Sequence, residues 1–589
     1  MPESPRQTSA GEWRDHVIVC GLHDEGLRIV EQLQLAGAAA VVVDHDPTPR
    51  LVAVLERLGV PYLAADSRVP ETLEAAGIQE AAALVCVESD DLDTLATALL
   101  ARELRPGLRV VVQLRNEAVG RALEAVGVAV LDVARLTAPA IVAACLQTGR
   151  LSLWLGADEF VVVEADCGRS GSLRELYGDL TPVAVLRGHG EPVEVTPGRD
   201  VAVDVGDVVV LLGTPEALDS AGFGTRRPDT ESTPFIGARA PRAQRVRRVS
   251  WLRQLAVGLE RRVKIALLAL GALVVVSIGV LMIGYREPDG ARMSILDAAY
   301  FTAETISTVG YGDFSFSEQE SWLRLWAISL MVVGAILVTA FYALLTNALV
   351  SRQLADTLGR RRITGLDDHV VLIGAGSIGV AVARRLREAG VDVVAVERDP
   401  DNRFLGVLRA QGVPIVAGDA TVVDTWRELH LERARAVAVL TSDDLVNIET
   451  GLAVRDLLGD RWLEVPVVLR IFGRRLATTL NTSFDFHNVR SPAALAAPWF
   501  VGSALGMDVI ETFYVGSRPL LVARLSVAAG SSLDGLAMQE LSARVRVVSL
   551  VRTDGTVEHP PRRHTRFAAG ESAYLIGAYE ELLALLRSR

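Results

Sequence analysis

At 589 residues, half of them apolar and only 5% aromatic, the chain has room for roughly three or four domains. Its 60 Lys and Arg against 72 Asp and Glu leave a net charge of −12, which offers nucleic acid no broad basic field. The four cysteines, Cys20, Cys86, Cys145 and Cys167, form no CxxC pair, which argues against a disulfide scaffold or a thiolate metal site.

The first fifteen residues, MPESPRQTSAGEWRD, are polar and carry no apolar core, so no cleaved signal peptide is expected. Residues 15–150 then alternate short apolar runs with helical stretches: HVIVCG (16–21), AAAVVVDHDP (38–47), PYLAADSR (61–68) and AAALVCVESDD (81–91). Strands alternating with helices of this length imply an α/β doubly wound parallel sheet, Rossmann-like. Cys20 and Cys86 end two of the runs, where a small buried thiol is expected. A smaller α+β module follows over 151–218, with the pieces GSLREL, TPVAVLRGHG and VGDVVVLLG. Residues 219–262 read as a linker, rich in Pro, Ser, Thr and Arg at its start and basic throughout its second half.

Two uncharged stretches come next, Ile265–Gly284 and Leu325–Ser351, of 20 and 27 residues. A bilayer core needs about 20 helical residues, so both are long enough to span and 263–350 reads as an all-α two-helix membrane domain. From Arg239 to Lys264 there are nine basic residues and one acid, and Arg352, Arg360, Arg361 and Arg362 follow the second stretch. Between the spans, Tyr285–Arg324 holds three basic residues against seven acids. That asymmetry places both flanks, and with them both termini, in the cytoplasm of a multi-pass plasma-membrane protein. No helix carries a repeat of arginines, so no voltage sensor is expected.

The loop between the spans carries the chemistry. Ser294–Ser307 has helical spacing but is too short to cross, which suggests a re-entrant helix. It runs into Thr308-Val309-Gly310-Tyr311-Gly312-Asp313. Irregular backbone at membrane depth is tolerated where it lines a path. Gly310 and Gly312 can adopt angles that turn successive carbonyls to one axis. The carbonyls of Thr308, Val309, Gly310 and Tyr311, with the Thr308 hydroxyl, would then replace the water shell of a K⁺ ion. Glu304, behind this loop, either shares a proton with Asp313 or is a solvated acid at the mouth. Gly334, midway along the second span, is either a gating hinge or a close-packing glycine. Thr339, Thr346 and Asn347 are candidates for an inner cavity.

The first pattern then returns at 367–500, as HVVLIG (369–374), VDVVAVERDP (391–400), PIVAGDAT (414–421) and ARAVAVLTSDD (434–444). The chain is therefore duplicated around its membrane unit. This copy contains an intact G-x-G-x-x-G, Gly374, Gly376 and Gly379, with Glu397 closing the next strand. Backbone amides at a helix N-terminus cradle a diphosphate, and the acid accepts ribose hydroxyls while repelling a 2′-phosphate, which favours NAD(H) or an adenine nucleotide. The first copy reads Gly21-Leu22-His23-Asp24-Glu25-Gly26, with an imidazole at the middle glycine and two acids where phosphate would sit. Nucleotide is accordingly expected in the second copy and not in the first, although Asp44 matches Glu397 and leaves occupancy of both as the alternative. A second small module spans 515–589.

The span, re-entrant helix, TVGYGD and second span over 263–350 resemble the pore of two-transmembrane potassium channels. The duplicated sheets with small C-terminal lobes, over 15–218 and 367–588, resemble RCK domains, the regulators of potassium conductance, with GDAT (418–421) and TSDD (441–444) matching that family's adenine loops. The resemblance implies a potassium-selective channel subunit gated by ligand at its RCK domains, with Asp419 facing the adenine. It also implies a homotetramer, because one filter strand cannot surround an ion, and hence eight RCK domains in a lipid bilayer. One RCK domain precedes the pore, a departure from the usual order. Left open are the gating ligand, including a divalent cation at Asp90, Asp91, Asp443 or Asp444, and an alternative reading as a membrane-anchored nucleotide sensor of potassium transport. No acid/base or hydride-acceptor constellation stands beside the glycines, so no enzyme is expected.

Overall fold

The computed structural model describes residues 13–147, 149–187, 193–223, 261–287, 290–357, 366–422, 425–426, 429–484, 486–516, 518–531, 533–541 and 545–586. Most of the basic linker, and residues 358–365 after the second span, lie outside the described residues. Contacts divide the chain into two units, residues 1–239 with 363–589, and residues 240–362.

The first unit holds two six-stranded parallel sheets. In the first lobe the spatial order is Tyr62–Ala64, Ala40–Asp44, Val17–Cys20, Ala83–Cys86, Arg109–Gln113, Ala129–Leu131. The second lobe repeats it with Ile415–Ala417, Val393–Glu397, His369–Ile373, Ala434–Val439, Val467–Arg470 and Asn488–Arg490. Both are doubly wound, with the order reversing beside the first strand. The central strands are runs of Val, Ile, Leu, Ala and Cys with hardly a polar residue, as sheets covered on both faces require. Cys20 and Cys86 face each other in register on paired strands, as buried free thiols.

Each lobe is followed by a five-stranded antiparallel sheet. The first orders as Arg150–Leu155, Asp158–Asp166, Val208–Gly213, Thr181–Leu186 and Glu194–Val195. The second orders as Asp508–Val515, Arg518–Ser526, Ser572–Ala578, Val545–Val551 and Val557–Glu558. The inner faces of the two pack together, Leu153, Phe160 and Val162 against Phe513, Val522 and Ile576.

The helices that lead into these small lobes are exchanged. Val133–Leu146 follows the first sheet, yet Ala138, Ile141 and Cys145 lie in one core with Val370, Leu372, Val382 and Leu386 of the second lobe. Pro492–Leu505 follows the second sheet, and its Phe500, Val501 and Ala504 lie in one core with Val17, Ile29 and Leu33 of the first. Apart from Arg135, both helices lack charged side chains, so each needs apolar cover on most of its surface, and the partner lobe supplies it. Neither lobe has a complete core of its own.

The second unit contains Arg261–Gly284, the short helix Ile295–Ile306 and the long helix Ser321–Thr357. At 37 residues the last is about 55 Å long, well beyond a hydrocarbon core of about 30 Å. Leu281, Tyr285, Met293, Phe301, Ile306, Leu323 and Leu330 form the unit's core. Leu268, Val275, Ile283, Leu325 and Ile336 stay exposed along the long helices, an apolar surface suited to lipid or further protein.

Candidate functional site

The pore loop is positioned from its helix. Ser294 caps Ile295–Ile306, its side chain accepting from Asp297 N at 3.2 Å. At the other end Thr308 N donates to Thr305 O at 3.1 Å and Val309 N to Glu304 O at 2.9 Å, closing the helix with Thr308 at φ 62°. Gly310 and Gly312 follow at φ 56° and 82°, so three of five positions in Thr308–Gly312 take the left-handed region. All of Thr308–Asp313 is exposed in the single chain.

Glu304 is 6% exposed and its Oε2 has no hydrogen-bond partner among the described residues. No hydrogen bond joins it to the exposed Asp313 among the described residues. A Cβ on Gly334 would stand 3.1 Å from Ile306 Cγ1, so glycine here lets the inner helix close on the end of the pore helix. Thr339 returns its hydroxyl to Ala335 O at 2.8 Å. The Asn347 side chain lies outside what is described.

In the second lobe, Gly374 (φ 95°) passes so near the end of the neighbouring strand Ala434–Val439 that a Cβ would lie 3.0 Å from Thr441 N. A Cβ on Gly379 would lie 2.3 Å from Gly374 O, so helix Ser377–Glu388 rests directly on the turn. Gly376, by contrast, faces nothing within 4 Å, which is the open cradle a diphosphate needs. Glu397 accepts from Ala375 N at 2.8 Å and Asp399 N at 3.0 Å. Asn402, absent from the sequence reading, bridges Ala375 O at 3.2 Å and Glu397 at 3.1 Å. Its only signal was its position five residues past the acid. Asp419 is engaged by Thr421 N and Oγ1 at 2.9 and 2.8 Å, and those bonds hold its carboxyl below the ordinary value. Gly374, Gly376, Gly379, Glu397 and Asp419 thus gather at the carboxyl ends of the strands where the order reverses.

The first lobe has the same frame and a different loop. Gly21 and Gly26 make the same close approaches as Gly374 and Gly379, and Asp44 accepts from Leu22 N at 2.5 Å as Glu397 does from Ala375. His23, however, turns its ring inward. Nε2 bonds the Val87 carbonyl and Nδ1 contacts the Glu25 carboxylate at 2.9 Å. Burial opposes both charges, yet the pairing outweighs it, raising His23 and lowering Glu25 from their ordinary values. The other acids are committed to backbone. Asp90 and Asp443 cap helices, while Asp444 accepts from Phe472 and Gly473 N and Asp91 from Arg115 and Asn116 N. No group of three potential metal ligands stands together among the described residues.

Residues 17–132 and 370–492 each match the TrkA-N domain, and residues 264–351 match the ion channel family. Potassium channel protein 1 of Methanocaldococcus jannaschii is 22% identical over 306 residues, covering 49% of this chain and 88% of that protein. The Trk system potassium uptake protein TrkA of Mycobacterium tuberculosis is 35% identical over 133 residues, 22% of this chain and 56% of that one. The match covers only part of several relatives, as little as 27% of one of them. The solved GsuK channel has the same fold, at 15% identity and a TM-score of 0.50 over 98% of this chain and 79% of that one. With two TrkA-N domains around an ion-channel domain, the chain fits the potassium channels that carry RCK domains.

Proposed function

We propose that four copies of this chain surround a potassium-selective pore in the plasma membrane, opened or closed by a nucleotide bound to the second TrkA-N lobe. The observation that carries the reading is the sequence Thr308–Asp313, led by a capped re-entrant helix between two apolar helices and supplied with Gly310 and Gly312 at positive φ. Repeated around a four-fold axis, such loops would present rings of carbonyl oxygen to K⁺ at Thr308, Val309, Gly310 and Tyr311.

The exchanged helices support the topology. Two lobes with interleaved cores must lie on one side of the membrane, and the two spans between them return the chain to that side. The basic flanks make it the cytoplasmic side. Gly376 and Glu397 would hold NAD(H) or an adenine nucleotide when bound, with Gly374, Gly379 and Asp419 shaping the crevice. The ligand can bias the pore only by binding open and closed states unequally. Two lobes per chain would give the tetramer eight.

Reconstitution in liposomes tests this. K⁺ flux should far exceed Na⁺ flux, respond to NADH or ADP, and vanish or lose selectivity in Gly310→Asp. Equal K⁺ and Na⁺ flux through the unaltered protein would overturn the reading.

A further inference from the structure

Each lobe ends its first strand at the N-terminus of a helix, and in this sheet order that is where the anion of a nucleotide sits. In the second lobe the place is clear, with Gly376 facing open space and Ser377 and Ile378 carrying no charge. In the first lobe it is filled from within. The His23 ring is fixed to the Val87 carbonyl and holds the Glu25 carboxylate at 2.9 Å. From the other lobe, Arg470 at the end of the strand Val467–Arg470 acts on Glu25 through its charge, without a direct ion pair among the described residues. Its guanidinium lies 4.4 Å over the Phe472 ring, and its Nε is buried without a hydrogen-bond partner among the described residues. The opposed charges acting on it are Glu25, Asp444 and Asp24. Asp444 already accepts from the Phe472 and Gly473 amides, and Asp24 is exposed. Glu25 thus feels a cation from each lobe, His23 in contact at 2.9 Å and Arg470 at longer range.

We propose that Glu25 is a built-in anion: held against His23 at the helix N-terminus of its own lobe, its carboxylate takes the place that a nucleotide phosphate takes in the second lobe, so the pair of lobes carries one exchangeable ligand. The inference rests on the nucleotide reading of the second lobe. It adds that the first site is occupied, rather than lost. The frame that would hold a ligand is intact, with Gly21 and Gly26 in their close approaches and Asp44 on the loop amide. Four side chains separate the two loops, Leu22, His23, Asp24 and Glu25 against Ala375, Gly376, Ser377 and Ile378, and only the last three change charge or bulk at the cradle. The strand end opposite the open site also differs, Gln113 standing where Arg470 stands for the closed one. A fixed carboxylate and a fixed cation thus occur together on one side of the pair, and neither occurs on the other.

The test is the binding stoichiometry of NADH to the full chain in detergent. The unaltered chain should bind one equivalent, lost in Gly376→Asp. The triple variant His23→Gly, Asp24→Ser, Glu25→Ile should bind two, with the second within about tenfold of the first and surviving Gly376→Asp. A triple variant that melts normally and still binds one equivalent would overturn the proposal, as would two equivalents in the unaltered chain. If the triple variant does not fold, Glu25→Gln decides. It leaves His23 facing an uncharged amide, so pyrophosphate should raise its melting temperature and not that of the unaltered chain. No such rise would overturn the proposal. Absence of NADH binding by the unaltered chain would instead overturn the nucleotide reading, and the pyrophosphate arm would still test Glu25.

Discussion

The two Rossmann-like lobes are built alike to the level of single hydrogen bonds. His16 and His369 open their first strands, each buried, each bonding through Nε2 to a carbonyl 60 residues on, at 2.8 Å to Ala76 and 2.9 Å to Leu429. Burial lowers both below the ordinary histidine value. Asp90 and Asp443 cap matching helices, and Asp44 and Glu397 hold matching loops. The lobes part at the three residues after the turn, where one has space and the other has a charged pair. Duplication preserved what the fold needs in both copies. The divergence at this loop falls where a ligand would touch, and this is why sheet topology alone says nothing about which copy binds.

The largest effect should come from the exchange of helices. Phe500→Ala removes a fully buried ring, at a cost of about 3–5 kcal/mol. Hydrogen exchange should show the loss in strands 17–20 and 40–44 of the first lobe, although the altered residue belongs to the second repeat. Loss of protection confined to 369–373 and 393–397 would break the comparison as drawn here. Next in size is Gly376→Asp, which puts a carboxylate in the cradle. NADH affinity measured by calorimetry should fall at least about 100-fold, or about 3 kcal/mol, with the melting temperature unchanged because a Cβ there meets nothing.

A smaller effect separates the two small lobes. Glu511, four residues before its hairpin, has Leu151 as its counterpart. Burial pushes the Glu511 carboxyl up to about 7, against the pull of Arg385. A carboxyl raised in the fold favours the folded state below its unfolded value of 4.5, and the contribution is lost as pH rises through 7. Melting temperature should therefore fall between pH 4.5 and 7.5 in the unaltered chain, and Glu511→Gln should flatten that part of the curve. An unchanged slope in the variant would remove this distinction between the lobes. The smallest effect tests their likeness. Asp90→Ala and Asp443→Ala should each cost about 1 kcal/mol in denaturant unfolding, and equally so, since each loses one cap.

Much of this was legible in the chain. The paired runs from HVIVCG and HVVLIG showed the duplication and its parallel, doubly wound sheets, and uncharged length located both spans. The divergent loop at His23 could also be read as unfavourable to phosphate. What the sequence hid was every feature whose partner lies in the other repeat. An apolar helix such as Val133–Leu146 declares that it is buried, and not in whose core. Arg470 is one arginine among many until its charge is found to act on Glu25 of the other repeat. Glu304 could be read as sharing a proton with Asp313 or as a solvated acid at the mouth, and its burial was not visible from its neighbours in sequence. Gly334 keeps both readings, hinge and close packing, and a Cβ there would meet Ile306 Cγ1 at 3.1 Å, a neighbour the sequence could not show.

The exchanged helices also set a timetable for synthesis. The ribosome finishes the first sheet by residue 131, but the ring of Phe500 that completes its core emerges nearly 370 residues later, after both membrane spans. At a rate of about 5–20 residues per second, the first lobe waits roughly 20–70 seconds with an apolar face open to water. During that interval the membrane helices must be inserted while an unfinished domain is tethered just upstream of them. A nascent chain of this kind is a natural client for chaperones that shield apolar surface. Among partially synthesised copies on one messenger, the missing helix can also be borrowed from a neighbour, so the same feature that joins two lobes within a chain offers a route by which separate chains meet.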